Sequence, residues 1–271
     1  MSDQNLEDNR AWWDERVPLH LGSRLYDLPG FRSGRSSLAA YEPAELGPVR
    51  GLDLLHLQCH IGLDSLSWAR LGARVTGYDF SARALQVARG LAQELRLDPT
   101  FVEGELELAP EVLGRTFDVV YTGKGALPWL PDLGRWAKAV SRLLRPGGRL
   151  YLVEFHPLVD VMADRTTIFE GDYLAGAEAS YDEPGDYAVL DAVTTQNRTH
   201  NWCHPLGEVV TRLAETGLRI EFLEERCETY FARFPAPVLE EVGEGLWVPP
   251  AGAPRIPLVY SLRASQPDRS P

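Results

Sequence analysis

Between Arg50 and Ala82 the chain alternates in a way that admits few folds. Leu52–Leu57 is an apolar run of strand length, and a tight turn closes on Gly62. Asp64–Leu71 then has helical spacing, and a second short run, Arg74–Tyr78, leads directly into Asp79. Strand, helix and strand at this spacing form a βαβ unit. An acid closing the second strand, beside a tight turn and a helix N-terminus, frames a nucleoside. Backbone N–H groups and the helix end face the ligand, and the acid accepts hydrogen bonds from ribose hydroxyls. The glycines that usually build such a turn are mostly missing; Gly62 is the one kept.

The alternation continues downstream. Ala82–Leu95 carries Leu85, Ala88, Leu91, Ala92 and Leu95 close to a 3.6-residue period and is expected as a helix. Thr100–Glu103 and Phe117–Thr122 are expected strands. Asp132–Leu144 is an expected helix stopped by Arg145-Pro146-Gly147-Gly148, and Arg149–Phe155 is the next strand. This pattern specifies a doubly wound α/β domain with a mostly parallel sheet and helices on both faces. Ligands in such sheets sit at the C-terminal strand ends, near the switch in strand order. Residues 1–49 read as an N-terminal helical cap, with a short helix anchored by Trp12 and Trp13 and another near 42–46. Residues 50–156 read as the cofactor-binding core. Residues 157–201 break the rhythm with Tyr173, Tyr181, Tyr187 and a Pro184-Gly185 turn, and read as an inserted lid or substrate loop. Residues 202–265 complete the core through a helix at Leu206–Thr216 and strands at Arg219–Arg226 and Leu258–Ala264. Antiparallel pairing of those two strands makes 227–257 a long excursion. Residues 266–271 are a polar tail.

Bulk properties exclude several partners. The formal net charge of −12 opposes binding to nucleic-acid phosphates or an anionic membrane surface. No apolar run approaches a membrane span, and the N-terminal residues lack the basic-then-apolar form of a signal peptide. Cys59, Cys203 and Cys227 are widely spaced, which disfavours disulfides and a thiolate metal site and suits a reducing cytoplasm. No metal site is expected, and the oligomeric state is open.

The order of elements and the motifs within 50–156 resemble the class I S-adenosylmethionine-dependent methyltransferases. In that family the first strand ends in an acid followed by Gly-x-Gly-x-Gly. Here His56 stands at the acid, Gln58 and His60 at the first two glycines, and Gly62 at the third. The ribose-binding acid falls on Asp79 in Gly-Tyr-Asp-Phe-Ser, and the adenine-side acid on Glu105 in Glu-Gly-Glu-Leu. The fourth strand corresponds to Phe-Asp-Val-Val-Tyr-Thr-Gly, and the strand entry after it to Leu-Leu-Arg-Pro-Gly-Gly-Arg-Leu. The resemblance implies a seven-stranded Rossmann-like sheet. It also implies S-adenosylmethionine as cofactor, with S-adenosylhomocysteine as product.

The same resemblance assigns cofactor contacts to Gln58, Cys59, His60, Gly62, Asp79, Phe80, Ser81, Gly104, Glu105, Leu106, Thr122 and Gly123. Trp13 is expected to close over the cofactor, an aromatic face suiting a sulfonium. Gln58 and His60 fit the turn if those positions need no positive φ. A three-glycine turn lets a pyrophosphate approach the backbone, so its loss counts against a dinucleotide. Methyl transfer needs alignment and exclusion of water, and a base only when the nucleophile arrives protonated. His156 at the end of the fifth strand and His204 before the 206–216 helix are the candidate bases. Trp129, Tyr173 and Trp202 are candidate substrate contacts, pointing to a small apolar or aromatic acceptor that presents O, N or S. A thiol suits a site without a dominant base. The competing readings are an NAD-dependent oxidoreductase, a non-catalytic nucleoside-binding module and, against the charge, a nucleic-acid methyltransferase.

Overall fold

The computed structural model describes residues 3–162, 168–174, 178–230, 234, 238–243 and 245–268. In chain order the elements begin with α1 (Asp3–Gly22), α2 (Leu28–Arg32), α3 (Tyr41–Leu46), β1 (Asp53–Leu57), α4 (Leu63–Arg70), β2 (Arg74–Asp79) and α5 (Ala82–Leu95). There follow β3 (Thr100–Glu103), α6 (Ala109–Leu113), β4 (Phe117–Thr122), α7 (Leu133–Leu143) and β5 (Leu144–Phe155). The last elements are β6 (Glu178–Asp182), β7 (Arg198–Trp202), α8 (Leu206–Glu215), β8 (Arg219–Arg226), β9 (Glu240–Gly243), β10 (Leu246–Val248) and β11 (Val259–Ser265).

Seven strands form one sheet in the order β3-β2-β1-β4-β5-β11-β8. β1 to β5 run parallel, and β11 runs antiparallel to both of its neighbours. This is the doubly wound sheet expected from the sequence. Side chains along each strand alternate between two buried layers, because both faces are covered. Leu55, Leu57, Val120, Leu150 and Leu152 pack with Trp136 and Val140 of α7 and Val209 and Leu213 of α8. Leu54, Val119, Tyr121, Tyr151 and Val153 pack on the other side with Leu46 and Trp68. A third cluster joins α1 to α5 through Val17, Leu63, Leu66, Leu85, Ala88 and Leu91.

The chain reverses its direction of strand addition between β1 and β4, where Leu57 pairs with Thr122. The residues that follow both strand ends therefore flank one crevice. Gln58 spans it, its Nε2 donating to Ala126 O at 2.9 Å.

Three details differ from the sequence reading. The N-terminal helix is long, 20 residues, and continues through Pro18. The helix before Arg145 does stop at Leu143. The Arg-Pro-Gly-Gly segment, however, belongs to β5, where Gly147 N and Gly148 O exchange hydrogen bonds with Gln266. The 157–201 stretch carries the β6–β7 hairpin, which packs on α1. Asn9 replaces a neighbouring strand there, its side chain bonding both His200 N and His200 O at 2.8 and 3.0 Å. Residues 269–271 of the expected tail lie outside the described residues. No described helix is long and apolar enough to cross a membrane.

Candidate functional site

A cavity of about 2110 Å³ opens at the C-terminal ends of β1, β2 and β4, under α1 and the 157–201 stretch. Its floor is the turn after β1. Gln58 and His60 adopt φ of 56° and 49°, and Gly62 has φ of 80°. The condition on which Gln58 and His60 were to fit the turn, that they need no positive φ, is thus not met. The turn keeps the left-handed backbone of a glycine-rich loop while carrying two large side chains. Each such residue costs on the order of 1–3 kcal/mol and persists only where its surroundings over-determine it. The restraints are visible here. His60 N–H donates to Asp79 Oδ2 at 2.8 Å, Cys59 N–H donates to Tyr78 O at 3.1 Å, and the Gln58 amide holds Ala126. Gly62 alone cannot be replaced cheaply, because a Cβ there would lie 2.8 Å from Ala88 Cβ and 3.0 Å from the Phe101 ring. Cys59 lies buried beneath the turn with its thiol pushed up by burial.

Asp79 ends β2 against this turn. It is buried, and its Oδ1 accepts from Ser81 N–H at 2.8 Å. Burial pushes the carboxyl up to about 6, against the backbone hydrogen bonds that favour its ionised form. Both oxygens keep a further lone pair for a ligand hydroxyl. Ser81 is the N-cap of α5, accepting from Ala84 N at 3.0 Å and bonding Asp14 of α1. It does not line the cavity, and its place among the expected contacts is corrected to that of a cap. Phe80 lines the cavity with the Arg10 guanidinium 5.7 Å from its ring centre. Gly104, Glu105 and Leu106 follow β3 and also line it. The Tyr78 hydroxyl donates to Glu105 O at 2.9 Å, and a Cβ on Gly104 would lie 2.0 Å from that hydroxyl.

At the end of β4, Thr122 is fully buried outside the lining, and Gly123 and Lys124 line it. Lys124 is no exposed cation. Its Nζ meets Glu42 Oε1 at 2.7 Å, while Tyr121 donates to Glu42 Oε2 at 2.8 Å and contacts Asp64 at 3.2 Å. Burial works against its charge, but Glu42 and Asp64 outweigh it and hold the lysine protonated. His56 is kept neutral by burial, pushed down to about 4, with Nδ1 on Ser65 Oγ at 2.8 Å.

Glu154 was missed in the sequence. Its carboxylate accepts from the N–H groups of Gly125, Ala126 and Leu127 and so fixes the loop after β4. Burial raises it to about 7. An acid at the end of an otherwise apolar strand was the available signal.

The roof is aromatic. The rings of Trp12, Trp13 and Trp129 lie 5.1–5.4 Å apart, and Trp13 sits 4.9 Å from His60. Trp13, Trp129 and Trp202 line the cavity. Tyr173 does not, since its hydroxyl accepts from Leu206 N–H at 3.0 Å and caps α8. Neither His156 nor His204 reaches the lining. His156 joins Glu225 Oε1 at 2.9 Å and accepts from Leu158 N–H at 3.1 Å. His204 joins Leu130 O at 2.6 Å and Glu208 at 3.3 Å. With both ring nitrogens of each occupied, the two histidines hold loops, and the expectation that they act as bases is corrected. In their stead the structure brings His20 and Asp186 to His60, a set the sequence did not reveal.

A nucleoside carrying an amino-acid arm fits this lining. The buried Gln58 Oε1 has no hydrogen-bond partner among the described residues, so an acceptor is left for a donor on the ligand. Residues 55–150 match a protein family described as "Methyltransferase domain". This core is a class I methyltransferase domain. The chain is 36% identical over 140 residues to the ubiquinone biosynthesis O-methyltransferase of Xanthomonas oryzae pv. oryzae, covering 49% of this chain and 56% of that protein. It is 35% identical over 143 residues to the enzyme of the same name from Photorhabdus laumondii, covering 52% and 54%. The chain thus spans about half the length of the curated relatives it matches. An S-adenosylmethionine-dependent methyltransferase from Mesorhizobium loti shares the fold with a TM-score of 0.59 at 21% identity, over 86% of this chain and 99% of that one. One from Listeria monocytogenes does so at 0.59 and 18%, over 84% and 98%. In the methyltransferase domain the turn, Asp79 and the Gly123 loop converge on one crevice.

Proposed function

We propose that this chain transfers a methyl group from S-adenosylmethionine to a small molecule. The carrying observation is the turn 58–62, held in left-handed backbone against a buried Asp79 at the strand switch. In this reading Asp79 accepts the ribose hydroxyls. Phe80, Glu105 and Leu106 receive the adenine, and Gln58 Oε1 and the Gly123 loop receive the amino-acid arm. S-adenosylmethionine, when bound, supplies a methyl activated by a positive sulfur. The chain's own part is to align the acceptor, to keep water out beneath the tryptophan roof and to receive a proton. Residues 1–49 and 157–201 act together as the cover, and Trp129 and Trp202 wall the acceptor pocket.

The aromatic lining favours a small apolar or aromatic acceptor. The relatives named for ubiquinone biosynthesis carry O-methyltransferase in their names, which adds weight to an oxygen nucleophile. A dinucleotide is disfavoured because Gln58 and His60 put side chains where a pyrophosphate needs bare backbone.

The test is a transfer assay with radiolabelled methyl donor against a phenol, an aniline and a thiol series. Label is expected in one acceptor class, with S-adenosylhomocysteine released in equal amount. Labelling of none of them, by protein that binds the donor, would leave a binding module as the better description.

A further inference from the structure

His20, on α1, is completely buried between two partners from distant parts of the chain. Its Nε2 lies 3.0 Å from Asp186 Oδ2, in the 157–201 stretch, and its Nδ1 lies 3.2 Å from His60 Nε2, in the turn. The side chains of His20 and Asp186 have no solvent exposure, whereas His60 lines the cavity. We propose that His60 is the catalytic proton acceptor for the methyl acceptor, with His20 and Asp186 as the residues that position it.

The hydrogen bonds dictate the chemistry. A buried carboxylate can only accept, so Asp186 takes the Nε2–H of His20. With its one ring proton on Nε2, His20 has its lone pair on Nδ1. That lone pair accepts Nε2–H from His60, and neutral His60 is left with its lone pair on Nδ1. No partner for that Nδ1 exists among the described residues, and His60 is one of the residues that line the cavity. One carboxylate thereby sets two tautomers in series and leaves a basic nitrogen where the acceptor binds, in the manner of a base oriented by a third group. As the acceptor's O, N or S bonds the methyl carbon, the carbon–sulfur bond breaks onto sulfur. The acceptor's proton passes to His60 Nδ1. The imidazolium formed already donates to His20, whose own donation to Asp186 stabilises the charge in a poorly screened site.

Other groups around the set agree with this role. The His20 ring stacks on Tyr26 at 4.7 Å and lies 5.1 Å from Tyr187, and these two hydroxyls bond each other. Burial pushes both phenols up, so they stay neutral. The Arg16 guanidinium feels the charge of Asp186, and Asp79 accepts from the His60 backbone N–H, which fixes the turn. Burial first, and the neighbouring His20 second, push His60 down, so it rests as a free base near neutral pH. The three members come from α1, the turn and the 157–201 stretch, so the base is complete only when the cover is seated.

This inference rests on the methyltransferase reading, and its test separates the two. Nitrogen-15 spectra of imidazole-labelled protein in complex with S-adenosylhomocysteine report the tautomers without any turnover. His60 is expected to carry its proton on Nε2, and Asp186→Asn is expected to shift the His60 ring signals and populate the other tautomer. A proton on Nδ1 of wild-type His60, or His60 signals unmoved by Asp186→Asn, would overturn the relay. In the transfer assay His60→Gln is expected to lower kcat by about 10²–10⁴, with S-adenosylhomocysteine affinity within about threefold of wild type. Asp186→Asn is expected to lower kcat and shift the pH–rate profile while leaving KM nearly unchanged. Loss of S-adenosylhomocysteine affinity in step with kcat would make His60 a cofactor anchor and overturn the proposal. A wild-type protein with no such affinity would instead refute the methyltransferase reading itself.

Discussion

The floor and the roof of the cavity are built on different principles. The floor is made by backbone. The turn 58–62, the end of β2 and the loop after β4 are held by N–H groups that donate to Asp79 and Glu154 and by one glycine that nothing else can replace. Its residues are near one another in the sequence or joined by the sheet. The roof is made by side chains that cross the chain. Asn9 holds His200, Glu15 holds Thr195 and Gln196, Arg16 reaches Gly185 and Gln196, and His20 meets Asp186. A backbone-built floor fixes a ligand common to a fold, and a side-chain-built roof can differ between relatives and can lift. The turn, Asp79 and the loop after β4 lie within the stretch 55–150 that matches a family, whereas α1 and the 157–201 stretch lie outside it.

The largest effect is expected at the floor. Gly62→Ala places a Cβ at positive φ and against Ala88 and Phe101, and should cost about 3 kcal/mol of stability in denaturant unfolding. A cost under about 1 kcal/mol would show that the turn is not rigid. At the roof, Arg16→Ala removes a buried cation stacked 4.2 Å over Trp12 and bonded to the 185–197 backbone. It should release about 2 kcal/mol locally, seen as faster hydrogen exchange in 185–200 and α1 with β1–β5 unchanged. Uniform destabilisation of the whole chain would erase the distinction between floor and roof.

Protonation probes the floor alone. The folded value of about 6 for Asp79 exceeds that of an unfolded aspartate, so its ionisation opposes folding as pH rises from near 4 to 6. Ribose hydroxyls favour the ionised form. Affinity for S-adenosylhomocysteine should therefore fall by about tenfold per pH unit below 6, or ~1.4 kcal/mol, while stability does not fall on this group's account. An affinity flat from pH 7 to 5 would take Asp79 out of the site. The smallest effect is expected for Gln58→Gly, which relieves a left-handed residue and loses one bond to Ala126, a net change within about 1 kcal/mol.

The same division explains what was legible in the sequence. Asp79, Gly62 and the strands were readable because apolar runs, turn residues and a terminal acid leave their marks within a few positions. The left-handed φ of Gln58 and His60 was not, because side-chain identity there suggests the opposite and the groups that restrain them, Ala126 and Asp79, come from other strands' ends. His156 and His204 looked like bases by their place at strand and helix ends. Only packing shows that both rings are already engaged. His20 and Asp186 lie 166 residues apart, and no local pattern joins them.

Calorimetry of S-adenosylhomocysteine with wild type and Asp79→Ala, with NADH as control, reads out whether the turn and Asp79 hold a nucleoside without a pyrophosphate. A single site is expected in the wild type. Its affinity should fall about 100-fold in Asp79→Ala, which also orphans the His60 and Ser81 N–H groups and should lower the melting temperature while the protein stays folded at the assay temperature, and NADH should give no heat. Equal affinity in the two proteins, or binding of NADH in place of S-adenosylhomocysteine, would contradict it.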